Sequence, residues 1–300
     1  MSNDAFHPDL RSIARFLPRA TTGPVILKLM KPLAKLGDRK APAGVQTAST
    51  GTASVRLYGW TPDGPPRPGL LWIHGGGYVL GSAAQDDEVC SYLSEHVGIP
   101  VASVEYRLAP EHPFPAPLDD CYEALTWLAR QASIDESRLA IGGASAGGGL
   151  GAALALLARD RGEVSPAFQL LSYPMLDDRT ALRTDIDQSN FRLWNNKSNR
   201  FGWESYTGRP VGSPEVSYLA APARCEDLSG LAPAWIGVGT LDLFHDEVLA
   251  YVEALRAAGV ACELDVVRGA FHGFDSVRPK TGVVLAFRAS QAEALSAALL

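Results

Sequence analysis

The sequence predicts an α/β fold with a mostly parallel central sheet flanked by helices, and three observations carry that prediction. Short apolar runs at residues 70–73 and 139–141 read as buried strands, and further strand patterns lie at 100–104, 168–172, 234–238 and 261–267. Helical patterns at 89–97, 117–131 and 150–157 alternate with them, and connections of that length imply crossovers between parallel strands covered on both faces. Glycine clusters close two of the runs, at His74-Gly75-Gly76-Gly77 and at Gly142-Gly143-Ala144-Ser145-Ala146-Gly147-Gly148-Gly149.

Taken in order, the first 45 residues show two helical patterns, about 10–16 and about 24–36, broken by Pro18 and Gly23. In the second, Val25, Ile26, Leu29, Met30 and Leu33 share one face while Lys28, Lys31 and Lys35 lie largely off it, which predicts a helix packed onto the body of the protein, with binding to a membrane surface as the competing account. Residues 53–60 alternate as a strand does, and 61–68 form a proline-rich turn. Between about 177 and 222 the strand rhythm fails and Asp, Asn, Arg, Trp and Pro accumulate, the mark of an insertion or lid. The expected organisation is a cap made of the N-terminal helices (1–48) and that insertion (about 177–222), set over a main domain spanning 49–300.

Composition narrows the function classes. With 46% hydrophobic residues in a chain of 300, a sizeable core can form. A net charge of −6 gives no basic footprint, so nucleic acid is not an expected partner. Cys90, Cys121, Cys225 and Cys262 are scattered and make no C-x-x-C pair, which suggests neither a disulfide framework nor a zinc site and points to a reducing, cytoplasmic setting. Residues 1–40 contain Asp4, His7, Asp9, Arg11, Arg15 and Arg19 and no apolar segment of signal-peptide length. No span approaches the roughly 20 apolar residues that cross a bilayer, so stable membrane insertion is not expected.

The chemistry is concentrated at the second glycine cluster. Gly143 to Gly147 spell G-x-S-x-G where a buried strand turns sharply into a helix, and small residues on either side give the strained turn clearance. Ser145 then stands at the carboxyl edge of a sheet and the amino end of a helix, where developing negative charge is favoured. The glycines after His74 leave backbone N–H groups to face an anion.

A serine nucleophile needs a base, and the base needs an orienting acid. Of the six histidines, His272 lies on a glycine-flanked loop just beyond the last strand run, at the same sheet edge as Ser145. His7 is in the terminal segment, His96 is on a helix, His112 is in a proline-rich loop, His245 starts a helix and His74 opens the glycine loop. Asp242 ends the preceding strand and is the expected acid, whereas Asp246 and Glu247 look like first-turn residues of the next helix.

With these motifs in place, the chain resembles the hormone-sensitive-lipase-like (bacterial family IV) esterases of the α/β-hydrolase fold. The matching stretches, in order, are His74 to Gly77, Tyr106-Arg107-Leu108-Ala109-Pro110-Glu111, Phe114 to Asp120, Gly143 to Gly147, Asp242 to Glu247 and His272-Gly273-Phe274. The chain departs from the family's habits at Ala144, Gly149 and Leu243, none of which touches the triad positions.

The resemblance implies a serine carboxylesterase for short- to medium-chain acyl esters, with Ser145, Asp242 and His272 as the triad and the N–H groups of Gly75, Gly76 and Ala146 as the oxyanion hole. It implies a small-molecule ester as substrate, no metal or organic cofactor, and by analogy a homodimer through the last strand and residues 281–300. Arg107 and Glu111 are expected to form a buried ion pair that holds the glycine loop, and Asp119 and Asp120 to start a helix. An amidase or peptidase of the same fold would use identical groups, and a non-catalytic ligand-binding relative would keep the fold without the chemistry. Phe191, Trp194, Phe201, Trp203 and Tyr206 suggest an aromatic acyl pocket, with core packing as the competing account.

Overall fold

Leucine, isoleucine and valine dominate the short runs, and such runs are stable as strands only when both faces are covered. In the computed structural model, which describes residues 5–19, 23 and 41–300, they pair into one sheet. Its strands are β1 (Gln46–Ser49), β2 (Ser54–Tyr58), β3 (Arg67–Ile73), β4 (Val101–Glu105), β5 (Ile134–Ala144), β6 (Phe168–Ser172), β7 (Ala234–Leu241) and β8 (Cys262–Phe271). The spatial order is β1-β2-β4-β3-β5-β6-β7-β8. β1 and β2 run antiparallel to their neighbours, and every pairing from β4 through β8 is parallel.

The central strands are fully covered: Leu70, Leu71 and Ile73 in β3 and Leu139, Ala140 and Ile141 in β5 have no exposure. The edges are not, and β1 and β8 carry mixed polar and apolar faces. β1 escapes sequence reading for that reason, since Gln46-Thr47-Ala48-Ser49 has no apolar alternation and is ordered only by pairing with β2.

The helices are α1 (Arg11–Ala14), α2 (Asp87–Val97), α3 (Ala116–Ala129), α4 (Ala146–Arg161), α5 (Asn196–Thr207), α6 (His245–Ala257), α7 (Phe274–Val277) and α8 (Gly282–Leu299). From Ala146 to Ala158, α4 is buried at every position, which its glycine, alanine and leucine content permits on all sides. The pattern predicted at 10–16 shrinks to the single turn of α1, and the one predicted at 24–36 lies outside the described residues. The stretch 177–222 holds α5 and one short 3₁₀ turn, Asp178–Leu182, and no strand. Asn195 starts α5 by accepting the Ser198 N–H at 3.0 Å.

Register positions the chemistry. Ile73 lies opposite Gly143, Ala144 opposite Ser172, Ser172 opposite Gly237, and Leu241 opposite Phe271. Residues that follow these strand ends therefore collect at one rim, where parallel sheets hold their ligands.

Buried charge fastens the loops above that rim. The ion pair expected of Arg107 forms with Asp120 and not with Glu111: Nη2 lies 2.7 Å from Asp120 Oδ1, and the Arg107 backbone N–H donates to Oδ2 at 2.9 Å. Asp120 faces inward from the first turns of α3 and has no exposure, whereas Glu111 stands on the exposed loop. In the long connection after β6, Arg224 pairs with buried Asp178 at 2.7 Å, and Glu247 on α6 accepts the Leu176 N–H at 2.7 Å.

Burial acts to raise the Asp120 carboxyl, but hydrogen bonds from the Arg107 side chain and backbone and from Thr52 outweigh it and hold the group below its ordinary value. This contribution to stability is present above the unfolded carboxylate value and is lost as pH falls through the lower folded one. Arg107→Ala should cost about 2–3 kcal/mol in urea unfolding, below the about 3–5 of a fully buried pair because the guanidinium is partly solvated.

Candidate active site

Ser145 ends β5 and begins α4, with backbone angles of φ 57° and ψ −122° that a serine tolerates only under constraint. Three backbone hydrogen bonds supply it: the Ser145 N–H donates to Ser172 at 2.9 Å, and its carbonyl accepts from Gly149 and Met175, both at 3.0 Å. Gly143 and Gly147 serve this turn by clearance. A Cβ on Gly147 would strike the carbonyls of Ile73 and His74, and one on Gly143 would strike the Gly147 carbonyl.

The rim brings the predicted residues together. Ser145 Oγ lies 2.8 Å from His272 Nε2, and His272 Nδ1 lies 2.8 Å from Asp242 Oδ2. An ionised carboxylate only accepts, so Nδ1 carries the proton and Nε2 is left to receive one from the serine hydroxyl. The other oxygen of Asp242 accepts the Phe244 N–H at 2.9 Å, which fixes the carboxylate's orientation. Asp246, the rival acid, faces outward to Arg183 and His245. All three side chains are buried, and the rings of Tyr173, Phe244 and Trp194 surround the imidazole at centroid distances of 5.0, 5.1 and 6.0 Å.

The glycine loop after β3 abuts the serine, because a Cβ on Gly75 would lie 2.9 Å from the Ala144 carbonyl and 3.3 Å from Ser145 Cβ. Gly76 has φ 125°, and a side chain there would collide with Leu80, so this position needs glycine on both counts.

The loop's carbonyls are held from behind. Tyr106 donates its hydroxyl to the His74 carbonyl at 2.9 Å, while His74 Nδ1 and Gln85 Nε2 reach the Gly75 carbonyl at 2.8 and 3.2 Å. A trans peptide points its N–H opposite its C=O, so these contacts orient the N–H groups of Gly75 and Gly76. Ala146, the first residue of α4, adds a third N–H at the helix's positive end. Burial drives the His74 imidazole down to about 4, against the opposing effect of its hydrogen bond to Gly75, so the ring is neutral near pH 7.

Gly75, Gly76, Gly77, Ser145 and His272 line a cavity of about 180 Å³, closed by Leu193, Trp194 and Tyr173. Larger depressions of about 480 and 500 Å³ involve none of these residues. Among the described residues, no group of three or more His, Cys, Asp or Glu side chains converges as a metal site would, and no helix is long and apolar enough to cross a membrane.

A family model described as the alpha/beta hydrolase fold matches residues 70–276. The chain belongs to that family. Esterase LipI of Mycobacterium tuberculosis is 36% identical to this hydrolase over 231 residues, which cover 75% of this chain and 71% of that protein. Ethyl acetate hydrolase of Pseudomonas putida is 36% identical over 229 residues, 74% of this chain and 71% of that one. Among solved structures, a bacterial heroin esterase superimposes with a TM-score of 0.88 at 36% identity over 100% of both chains. Within the α/β hydrolases the chain falls among the hormone-sensitive-lipase-like esterases, and it is a carboxylic ester hydrolase.

Of the aromatic residues suggested for an acyl pocket, this hydrolase places only Trp194 at the cavity. Trp203 and Tyr206 pack on Tyr78, at centroid distances of 5.3 and 4.0 Å, as core. Phe191 is buried among core residues and Phe201 is packed against them. Sequence reading missed Gln85, Asp86, Tyr173 and Leu193. Tyr173 follows β6 directly and so had a positional signal, whereas the others lie in loops or short turns with no periodicity. A methyl group at Gly75 must push the loop away from the serine turn. Gly75→Ala should lower turnover about tenfold and Gly75→Val by roughly 10² or more, with far smaller changes in KM, as read by steady-state kinetics.

Proposed function

We propose that this hydrolase is a serine carboxylesterase acting on short- to medium-chain acyl esters through an acyl-enzyme intermediate. The observation that carries the reading is the continuous hydrogen-bonded chain from Ser145 through His272 to Asp242, opening on a small cavity lined by the glycine loop.

In this reading His272 takes the Ser145 proton as the hydroxyl attacks the ester carbonyl, and Asp242 holds the imidazole's tautomer and stabilises its cation. The oxyanion is met by the N–H groups of Gly75, Gly76 and Ala146, whose individual loss in comparable enzymes costs roughly 10²–10³ in rate. The alcohol leaves with the proton from His272, and water activated by the same ring then frees the acid. A cavity of about 180 Å³ supports small acyl groups.

The cap in this proposal combines the N-terminal segment with the insertion at about 177–222. Leu193 and Trp194 line the cavity, and the Leu193 N–H donates to the Pro18 carbonyl at 2.8 Å. A reducing, cytoplasmic setting is supported by four free cysteines, Cys90 and Cys121 being buried.

Ser145→Ala should reduce hydrolysis of p-nitrophenyl acetate by at least about 10³-fold with an unchanged circular dichroism spectrum. In a chain-length series, kcat/KM should be highest from acetyl to hexanoyl esters and fall steeply for dodecanoyl. Parental activity in the serine variant would overturn the assignment, and faster cleavage of a matched anilide than of its ester would move the protein to the amidases.

A further inference from the structure

The cavity holds an acid that the ester chemistry does not use. Asp86, at the N-cap of α2, lines the same space as Ser145 and His272, and among the described lining residues it is the only carboxyl and there is no lysine or arginine. Its Oδ2 accepts the Trp72 indole N–H at 2.7 Å. The contrast with the next residue is informative. Asp87 is matched by Arg56 at 2.8 Å and by the Tyr58 hydroxyl, whereas no described arginine or lysine forms an ion pair with Asp86. Asp86 is half-buried, and a carboxylate partly withdrawn from water with no cationic partner is stabilised by a positively charged ligand. Tyr173 and Trp194 line the same cavity, and aromatic rings attract ammonium groups.

We propose that Asp86, together with Tyr173 and Trp194, makes this cavity a receptor for an ammonium group, so that the substrate class is an amine-bearing ester such as an acyl ester of an amino alcohol. The proposal rests on the serine-esterase reading above and adds the charge of the substrate to it. Asp86 would act as a specificity residue and take no part in bond making.

The surroundings agree. Burial pushes Asp86 up to about 7, with the Trp72 hydrogen bond opposing. The groups around it are Asp275 and Tyr173, joined by a 2.6 Å hydrogen bond, Asp87 and Cys90 on α2, Tyr106 after β4, and His272. Since the carboxyl is raised, its charge, and with it the preference for a cation, grows as pH rises through about 7.

The test compares acetylcholine with its uncharged isostere 3,3-dimethylbutyl acetate at pH 8, using the full chain and its Asp86→Asn variant, which keeps an oxygen for Trp72. The native protein should favour the cation by about tenfold or more in kcat/KM, and the variant should bring that ratio near one. At pH 6 the native ratio should shrink. Should the variant not fold, tetramethylammonium should still compete with p-nitrophenyl acetate in the native protein where tert-butanol at equal concentration does not. A native ratio near one, a ratio unchanged in a folded variant, or absent competition overturns the proposal and leaves Asp86 as a hydrogen-bond acceptor for its neighbours. Failure to hydrolyse p-nitrophenyl acetate at all would instead remove the esterase reading.

Discussion

Two carbonyl groups, those of His74 and Gly75, govern the geometry of the rim. Each is held on its far side, one by the Tyr106 hydroxyl and the other by His74 Nδ1 and Gln85, and planarity of the peptide transmits that restraint to the N–H groups facing the serine. The arrangement tolerates little displacement, because the start of α4 presses against the same loop. Gly147 lies so near the carbonyls of Ile73 and His74 that a methyl group has no room, and Gly75 has the same relation to Ala144 and Ser145. Strand end, glycine loop and Ser145 turn are thus a single packed unit, and the unusual backbone of Ser145 is sustained by its three hydrogen bonds and by this crowding together.

Charge is distributed around that unit with the same economy. Burial keeps His74 neutral, and because the Gly75 carbonyl only accepts, the ring proton sits on Nδ1 facing it. Arg107 and Asp120 neutralise one another beneath the loop that carries Tyr106, and Asp178 with Arg224 does the same in the long connection after β6. Both pairs hold loops in register more than they add stability, since a buried pair must first overcome the desolvation of two ions.

Much of this was legible in the sequence because it is written in local signals. Strand runs such as Leu70 to Ile73 and Leu139 to Ile141 are continuous and apolar, and the structure uses them as predicted. Ser145 and His272 were placed by glycines that mark sharp turns at strand ends, and Asp242 by its position at the end of β7. What escaped depends on pairings between distant residues. No local rule distinguishes Asp120 from Glu111 as the partner of Arg107, because the choice turns on which one α3 rotates inward. The aromatic residues of the insertion all had suitable chemistry, yet only the packing of α5 on Tyr78 decides that Trp203 and Tyr206 belong to the core while Trp194 reaches the cavity.

The earliest described residues hold a wall of the cavity in place. His7 is bonded to Gly269, just ahead of His272, Phe6 packs edge-on to Phe271, and Pro18 receives the N–H of Leu193. One short stretch therefore spans from the strand that leads into His272 to a residue lining the cavity. Substitutions in those residues, remote from Ser145 along the chain, would therefore act on the shape of the cavity while leaving Ser145, His272 and Asp242 unchanged.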